Sequence, residues 1–95
     1  MSTGILIESN LAEQFQKAQA ESMTLKKRPN NPTLLRLYSL YKQANLGDAP
    51  PYGPDDDESF VAVAKFRTWA GLRGTAQEAA MQQYVELVAE LKGKE

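Results

Sequence analysis

The chain contains no cysteine and no histidine. Their absence excludes thiolate nucleophiles, Cys/His zinc sites and Ser-His-Asp catalysis together. It also excludes a disulfide framework, so packing alone must hold the fold. No apolar run approaches the roughly 20 residues that a membrane-spanning helix needs. Gly4-Ile5-Leu6-Ile7 is too short for one, and no basic segment precedes it to make a secretory signal. The expectation is a cytoplasmic protein without stable membrane insertion. Net charge is −1, which provides no overall basic field for nucleic acid. The charge is unevenly spread: residues 1–50 carry +2 and residues 51–95 carry −3. That asymmetry suits an uneven solvated surface or a local anion site in the first half.

What is present is enough for one small domain. The chain has 95 residues, 42% of them hydrophobic. A core this small requires every helix to contribute a face. The expected organisation is a domain over residues 10–92, a flexible N-terminus over 1–9 and a tail over 93–95.

Helical periodicity and its punctuation divide that domain into four. Asn10 with Glu13 forms a capping-box pattern, and Leu11, Phe15, Ala18, Ser22 and Leu25 then mark one face. Lys26-Lys27-Arg28-Pro29 ends this first helix. Asn31 is the expected cap of the second helix, with Pro32 in its first turn. That helix runs to Leu46, and Gly47 stops it in the left-handed region. Residues 48–58, with three prolines and one glycine, read as a long connection. Its acidic run, Asp55 to Glu58, reads as a solvated loop beside the next helix N-terminus and lacks the spacing of a calcium loop. A third helix is expected over Phe60–Leu72. Gly74 ends it, and Thr75 with Glu78 caps a fourth helix that reaches Lys92. Four amphipathic helices in one small domain imply an all-α four-helix bundle.

The segment 37–48, LYSLYKQANLGD, carries the chemical information. Tyr38, Tyr41 and Lys42 stand at i, i+3 and i+4, within a helical sector of about 100°. Two rings and an ammonium projecting together suit an aromatic base that bears a phosphate. The plainer alternative is that both tyrosines fill core and reach water with their hydroxyls. Two further residues fit the ligand reading. Lys65 interrupts the apolar third helix four residues before Trp69, and Tyr84 lies on the apolar face of the fourth. Each has its own plain alternative, a snorkelling lysine and a core tyrosine.

With these residues assembled, the chain resembles the acyl-CoA-binding protein family from about Asn10 to Lys92. The likeness rests on Phe15, Pro29, Leu37, Tyr38, Tyr41, Lys42, Gln43, Ala44, Gly47 and Asp48. It continues in Ala64, Lys65, Phe66 and Trp69, then in Leu72, Gly74, Ala80, Met81, Tyr84, Val88 and Leu91. The resemblance implies up-down-down-up connectivity with segment 48–58 as the crossover. It implies non-covalent binding and intracellular carriage of medium- to long-chain acyl-CoA by a monomer that is not an enzyme. No metal is implied, and no cofactor beyond acyl-CoA itself as ligand. Tyr38, Tyr41, Lys42, Lys65 and Tyr84 match the family's nucleotide-binding positions. Ala18, Gln19, Leu34 and Leu35 match positions lining the ligand groove, and Phe15, Trp69 and Leu91 match core positions. Several positions depart from the family pattern. Met23 and Val63 replace common lysines, Phe66 replaces a common tryptophan, and Gly53 stands where an arginine often precedes the loop proline. The crossover is also one residue longer and more acidic. A helical module that binds a partner peptide explains the amphipathic helices equally well, but not two lysines beside aromatic rings.

Overall fold

The computed structural model describes the backbone of residues 3–54 and 59–95 and the side chains of residues 10–54 and 59–95. The acidic run 55–58 lies outside the described residues. Four helices make up the described chain: α1 (Thr3–Ser22), α2 (Asn31–Leu46), α3 (Phe60–Ala70) and α4 (Gln77–Gly93). Among the described residues, no helix is long and apolar enough to cross a membrane.

The helix boundaries follow local chemistry, with four corrections to the sequence expectation. First, α1 begins at Thr3, so Asn10 lies inside the helix and does not cap it. No proline precedes Asn10, and an exposed asparagine costs a helix interior little. Second, α1 ends at Ser22, so Leu25 is outside it. The Ser22 hydroxyl donates to the Gln19 carbonyl at 2.7 Å, which satisfies a group of the last turn. Third, the cap of α2 is Asn30, one residue earlier than expected; its side chain accepts from the Thr33 N–H at 2.9 Å. Fourth, α3 ends at Ala70, and α4 starts at Gln77 without a side-chain cap bond at Ala76. Thr75 and Glu78 therefore form no capping box. The Thr75 N–H instead closes a turn onto the Leu72 carbonyl at 2.9 Å. Ser59 caps α3 by accepting from the Ala62 N–H at 3.1 Å.

Contacts between helices establish the connectivity. Along α1 and α4, Leu11 shares a groove with Met81 and Tyr84 reaches Ser22, and Lys92 reaches Thr24 just past the end of α1. Numbers rise together, so these helices are parallel. Between α2 and α4, Arg36 pairs with Gln83 and Ala44 with Gln77, which is antiparallel. Between α2 and α3, Leu34 and Leu35 face Val61 and Ala64, while Lys42 lies over Trp69. That pair is parallel. The order is up-down-down-up, and the parallel α2–α3 pair is why a long crossover is needed.

The core comes from α1, α2 and α4: Phe15, Ala18, Leu37, Leu40, Ala44, Ala80, Tyr84 and Val88 are all buried. Leu91 packs against this cluster from the edge. No residue of α3 is fully buried. Among the described residues α3 packs on α2 and on no other helix. The site lies along the α2–α3 seam.

A buried latch holds the ends of α2 and α3 in place. Gln43 is completely buried, and its amide nitrogen donates to Asp48 Oδ1 at 2.9 Å and to the Thr75 carbonyl at 2.8 Å. The Gly74 N–H donates to the same Asp48 oxygen at 3.0 Å. The Trp69 indole N–H donates to the Gly47 carbonyl at 2.9 Å. The Gln-Ala-x-x-Gly-Asp block is thus a structural tie between the end of α2 and the α3–α4 turn.

Candidate functional site

Tyr38 and Lys42 stand one turn apart on α2, on the side that meets α3. Lys65, Phe66 and Trp69 project from α3 to the same place, where the expected core role of Trp69 is replaced by a position in a pocket wall. The pocket encloses about 340 Å³ and is also lined by Pro54, Ser59, Val61 and Ala62. The Lys65 ammonium lies 5.0 Å from the centre of the Tyr38 ring. The Lys42 ammonium lies 5.8 Å from that ring and 5.3 Å from the Trp69 ring. Two cations therefore flank one phenol ring. Neither forms an ion pair among the described residues, where the pairs are Lys92–Glu95 and Lys94–Glu90. Such a pocket concentrates positive charge against aromatic faces. It is equipped to hold an anion attached to a flat ring.

A second cavity of about 430 Å³ continues along the same α2–α3 seam. Its walls include Leu34, Leu35, Phe60, Val61 and Ala64, with Arg28 and Asn31 at its margin. Lys65 and Val61 belong to both cavities. A cationic pocket thus opens into an apolar groove. Phe60 and Val61 are 92% and 60% exposed, so the groove presents uncovered hydrophobic surface.

The remaining expected site residues sit elsewhere. Tyr41 leans to the other flank of α2, with its ring 6.2 Å from Phe15 and 6.5 Å from Tyr84. Phe15 and Tyr84 meet edge to face at 5.2 Å. Tyr84 is 4% exposed, and its hydroxyl donates to Ser22 Oγ at 3.2 Å. Burial raises the pKa of that hydroxyl, and the nearby Tyr41 adds to the rise; the Ser22 contact opposes it. Ala18 is buried in the core, and Gln19 is half-buried on α1 with its carbonyl held by Ser22. The 100° sector on α2 is therefore split: Tyr38 and Lys42 turn to α3, and Tyr41 turns to α1 and α4.

Sequence reasoning missed Trp69 and Phe66 as pocket walls, and Phe60 and Val61 as groove walls. The signal existed in the spacing of α3. Val61, Lys65 and Trp69 recur every fourth residue, as do Ala62 and Phe66. Lys65 in that register points its neighbours to its own face.

Comparison with known proteins agrees with this architecture. Residues 12–88 match the family model described as "Acyl CoA binding protein". That span contains both cavities' α2 and α3 walls. The chain is 36% identical over 84 residues to an acyl-CoA-binding protein homolog of Drosophila melanogaster, covering 88% of this chain and 96% of that one. It is 42% identical over 81 residues to enoyl-CoA delta isomerase 2 of Rattus norvegicus, but covers only 20% of that longer enzyme. The fold superposes on the crystal structure of Oryza sativa acyl-CoA-binding protein 2 with a TM-score of 0.85, at 29% identity and with 92% of this chain and 94% of that one covered. Motif, helix order and near-full-length similarity converge, and the chain belongs to the acyl-CoA-binding protein family.

Proposed function

We propose that this protein binds medium- to long-chain acyl-CoA esters non-covalently and carries them in the cytoplasm as a monomer. The observation that carries the reading is the pair of ammonium groups flanking Tyr38, at the point where the pocket opens into an apolar groove. An acyl-CoA is a polyanion joined to a paraffin, and this seam offers one environment for each part. Lys42 and Lys65 would take the ribose 3′-phosphate, and Tyr38 and Trp69 would pack on the adenine. The acyl tail would run along Leu34, Leu35 and Val61. Tyr41 and Tyr84, with Ala18 and Gln19, would act through the aromatic cluster that supports α2 from behind. Carriage of this kind breaks no bond and requires no base or nucleophile, so the proposed role is not enzymatic. A peptide-binding module does not account for two cations gathered on one ring.

The test is titration calorimetry with acyl-CoA esters of increasing length, repeated with esters lacking the 3′-phosphate. Affinity should rise with length until the groove is filled, by up to ~1.6 kcal/mol for each added pair of methylenes. Lys42→Ala should weaken binding by roughly 10- to 150-fold. It should also discriminate less than the wild type against the dephosphorylated ligand, since both changes remove one interaction. A length-independent affinity would remove the tail from the groove. Equal discrimination by both proteins would remove the phosphate from Lys42.

A further inference from the structure

The crossover between α2 and α3 does more than connect them. Its first residues are pinned to the far end of α3. The Trp69 indole holds the Gly47 carbonyl, and the Arg73 guanidinium donates to the carbonyls of Ala49 and Pro50. Pro50 and Pro51 then restrict the backbone, because each fixes its own φ. The chain next lies directly on the Phe66 ring at Gly53. A Cβ built on Gly53 would overlap three ring atoms, Cγ, Cδ2 and Cε2. Cγ is the root of the ring, so rotation about χ2 cannot clear the contact. The same ring meets Trp69 edge to face, with centroids 6.4 Å apart. The following residue, Pro54, is itself a wall of the pocket with Phe66 and Trp69.

We propose that the Gly53–Phe66 contact sets the width of the cationic pocket, and that Gly53 is a positioning residue for the nucleotide end of the ligand. The inference rests on the reading that this pocket takes the phosphate-bearing end of an acyl-CoA. Glycine is required at residue 53 because the backbone approaches an aromatic face too closely for any side chain. Adding a methyl group must displace the Phe66 ring or lift the crossover at Gly53 and Pro54, since the segment before it is tied down. Either movement alters a wall of the pocket that Tyr38, Lys42 and Lys65 also line. The groove that would hold the tail contains neither Gly53 nor Phe66. The hydrophobic core contains neither as well. The effect should therefore fall on the polar end of the ligand, independently of chain length and with little change in stability.

The experiment compares four full-length chains: wild type, Gly53→Ala, Phe66→Ala and the double variant. Each is titrated with octanoyl-CoA, hexadecanoyl-CoA and adenosine 3′,5′-bisphosphate, and each is melted. Gly53→Ala should weaken all three ligands by a similar factor, about ten-fold. On the Phe66→Ala background the same substitution should have almost no effect, because the ring it displaces is gone. Emission from Trp69, the single tryptophan, should shift with Gly53→Ala only when Phe66 is present. Wild-type affinity in Gly53→Ala would overturn the proposal, as would the same loss on both backgrounds. A loss confined to the longer ester would overturn it too, and so would a lowered melting temperature with affinity unchanged. Lys42→Ala serves as the separate arm. If Lys42→Ala weakens binding and Gly53→Ala does not, the positioning role fails alone. If Lys42→Ala binds like wild type, the assignment of the pocket fails and takes the positioning role with it.

Discussion

Asp48 shows how an exposed carboxylate becomes structural. One of its oxygens accepts from the Gly74 N–H and the Gln43 amide. The Gly74 bond contributes most to holding its pKa below 3.8, the Gln43 bond adds to it, and the Arg73 charge assists. Desolvation opposes them. A depressed folded-state pKa means that the stabilisation is present above the unfolded value and is lost as pH falls through the folded one. Asp48→Asn should therefore differ from wild type by a constant amount at neutral pH, and the difference should shrink once pH drops below 3.8. Urea denaturation across that range checks it. Tyr84 behaves in the opposite sense at the other end of the scale. Its folded-state pKa lies above 10.0 because burial disfavours the phenolate. Its contribution is complete below pH 10.0 and is lost as pH rises through the folded value. Tyr84→Phe keeps the ring among Phe15 and Tyr41 and removes only the hydroxyl bonded to Ser22. The variant should lose about 0.5–1.5 kcal/mol at neutral pH. It should also lack the alkaline fall that this group causes in wild type, as denaturation at high pH would show.

At the scale of the element, the helix ends carry the contrasts. Gly47 has φ 78° and ψ −149°, a region that essentially only glycine occupies. Its stop is therefore glycine-specific, although it is not the αL geometry expected from sequence. A Cβ there would meet nothing within 4 Å, so a substitution would strain the backbone alone. Asparagine occurs at both 30 and 31, and either can cap by composition. Asn30 carries the cap bond, while Asn31 Oδ1 accepts from the Arg28 guanidinium at 3.3 Å. At α4 the cap residue is Ala76, which has no side chain able to accept from the first turn. Ala76→Ser should stabilise the protein by about 1 kcal/mol, whereas Thr75→Ala should forfeit no cap bond. Chemical denaturation of the two variants measures this contrast, and a larger loss in Thr75→Ala than the gain in Ala76→Ser would return the cap to Thr75.

The whole molecule is unequally secured. α4 packs on both α1 and α2, while α3 packs on α2 alone among the described residues. The helix with no fully buried residue is the same one that supplies Lys65, Phe66 and Trp69 to the pocket. Fewer buried contacts mean easier local opening. Amide exchange should therefore be faster in α3 than in α2 or α4 of the free protein. A ligand seated between α2 and α3 should slow exchange in α3 more than elsewhere, because it adds contacts to the helix that has a single helical partner among the described residues. Hydrogen–deuterium exchange with and without hexadecanoyl-CoA reads both effects. Protection confined to α1 and α4 would place the ligand on the aromatic cluster of Phe15, Tyr41 and Tyr84 instead.

Local properties were legible in the sequence. Proline, glycine and the periodic apolar faces specify four helices, because backbone freedom and amphipathicity are properties of a few neighbouring residues. The lack of cysteine and histidine excludes several chemistries outright. The approach of Lys65 to Tyr38 was legible only through the family resemblance and not from spacing, since those residues meet through the parallel docking of α3 on α2. The split of the α2 sector, with Tyr41 on one flank and Lys42 on the other, was hidden for the same reason. Spacing places residues on a helix to within a sector, but the neighbours on each side determine where their side chains go. The family resemblance gives Trp69 a core position, and it becomes a pocket wall because α3 has one helical partner only among the described residues. The seat of Gly53 on Phe66 is likewise a tertiary fact, set by where two prolines and the Arg73 tether lay the crossover down.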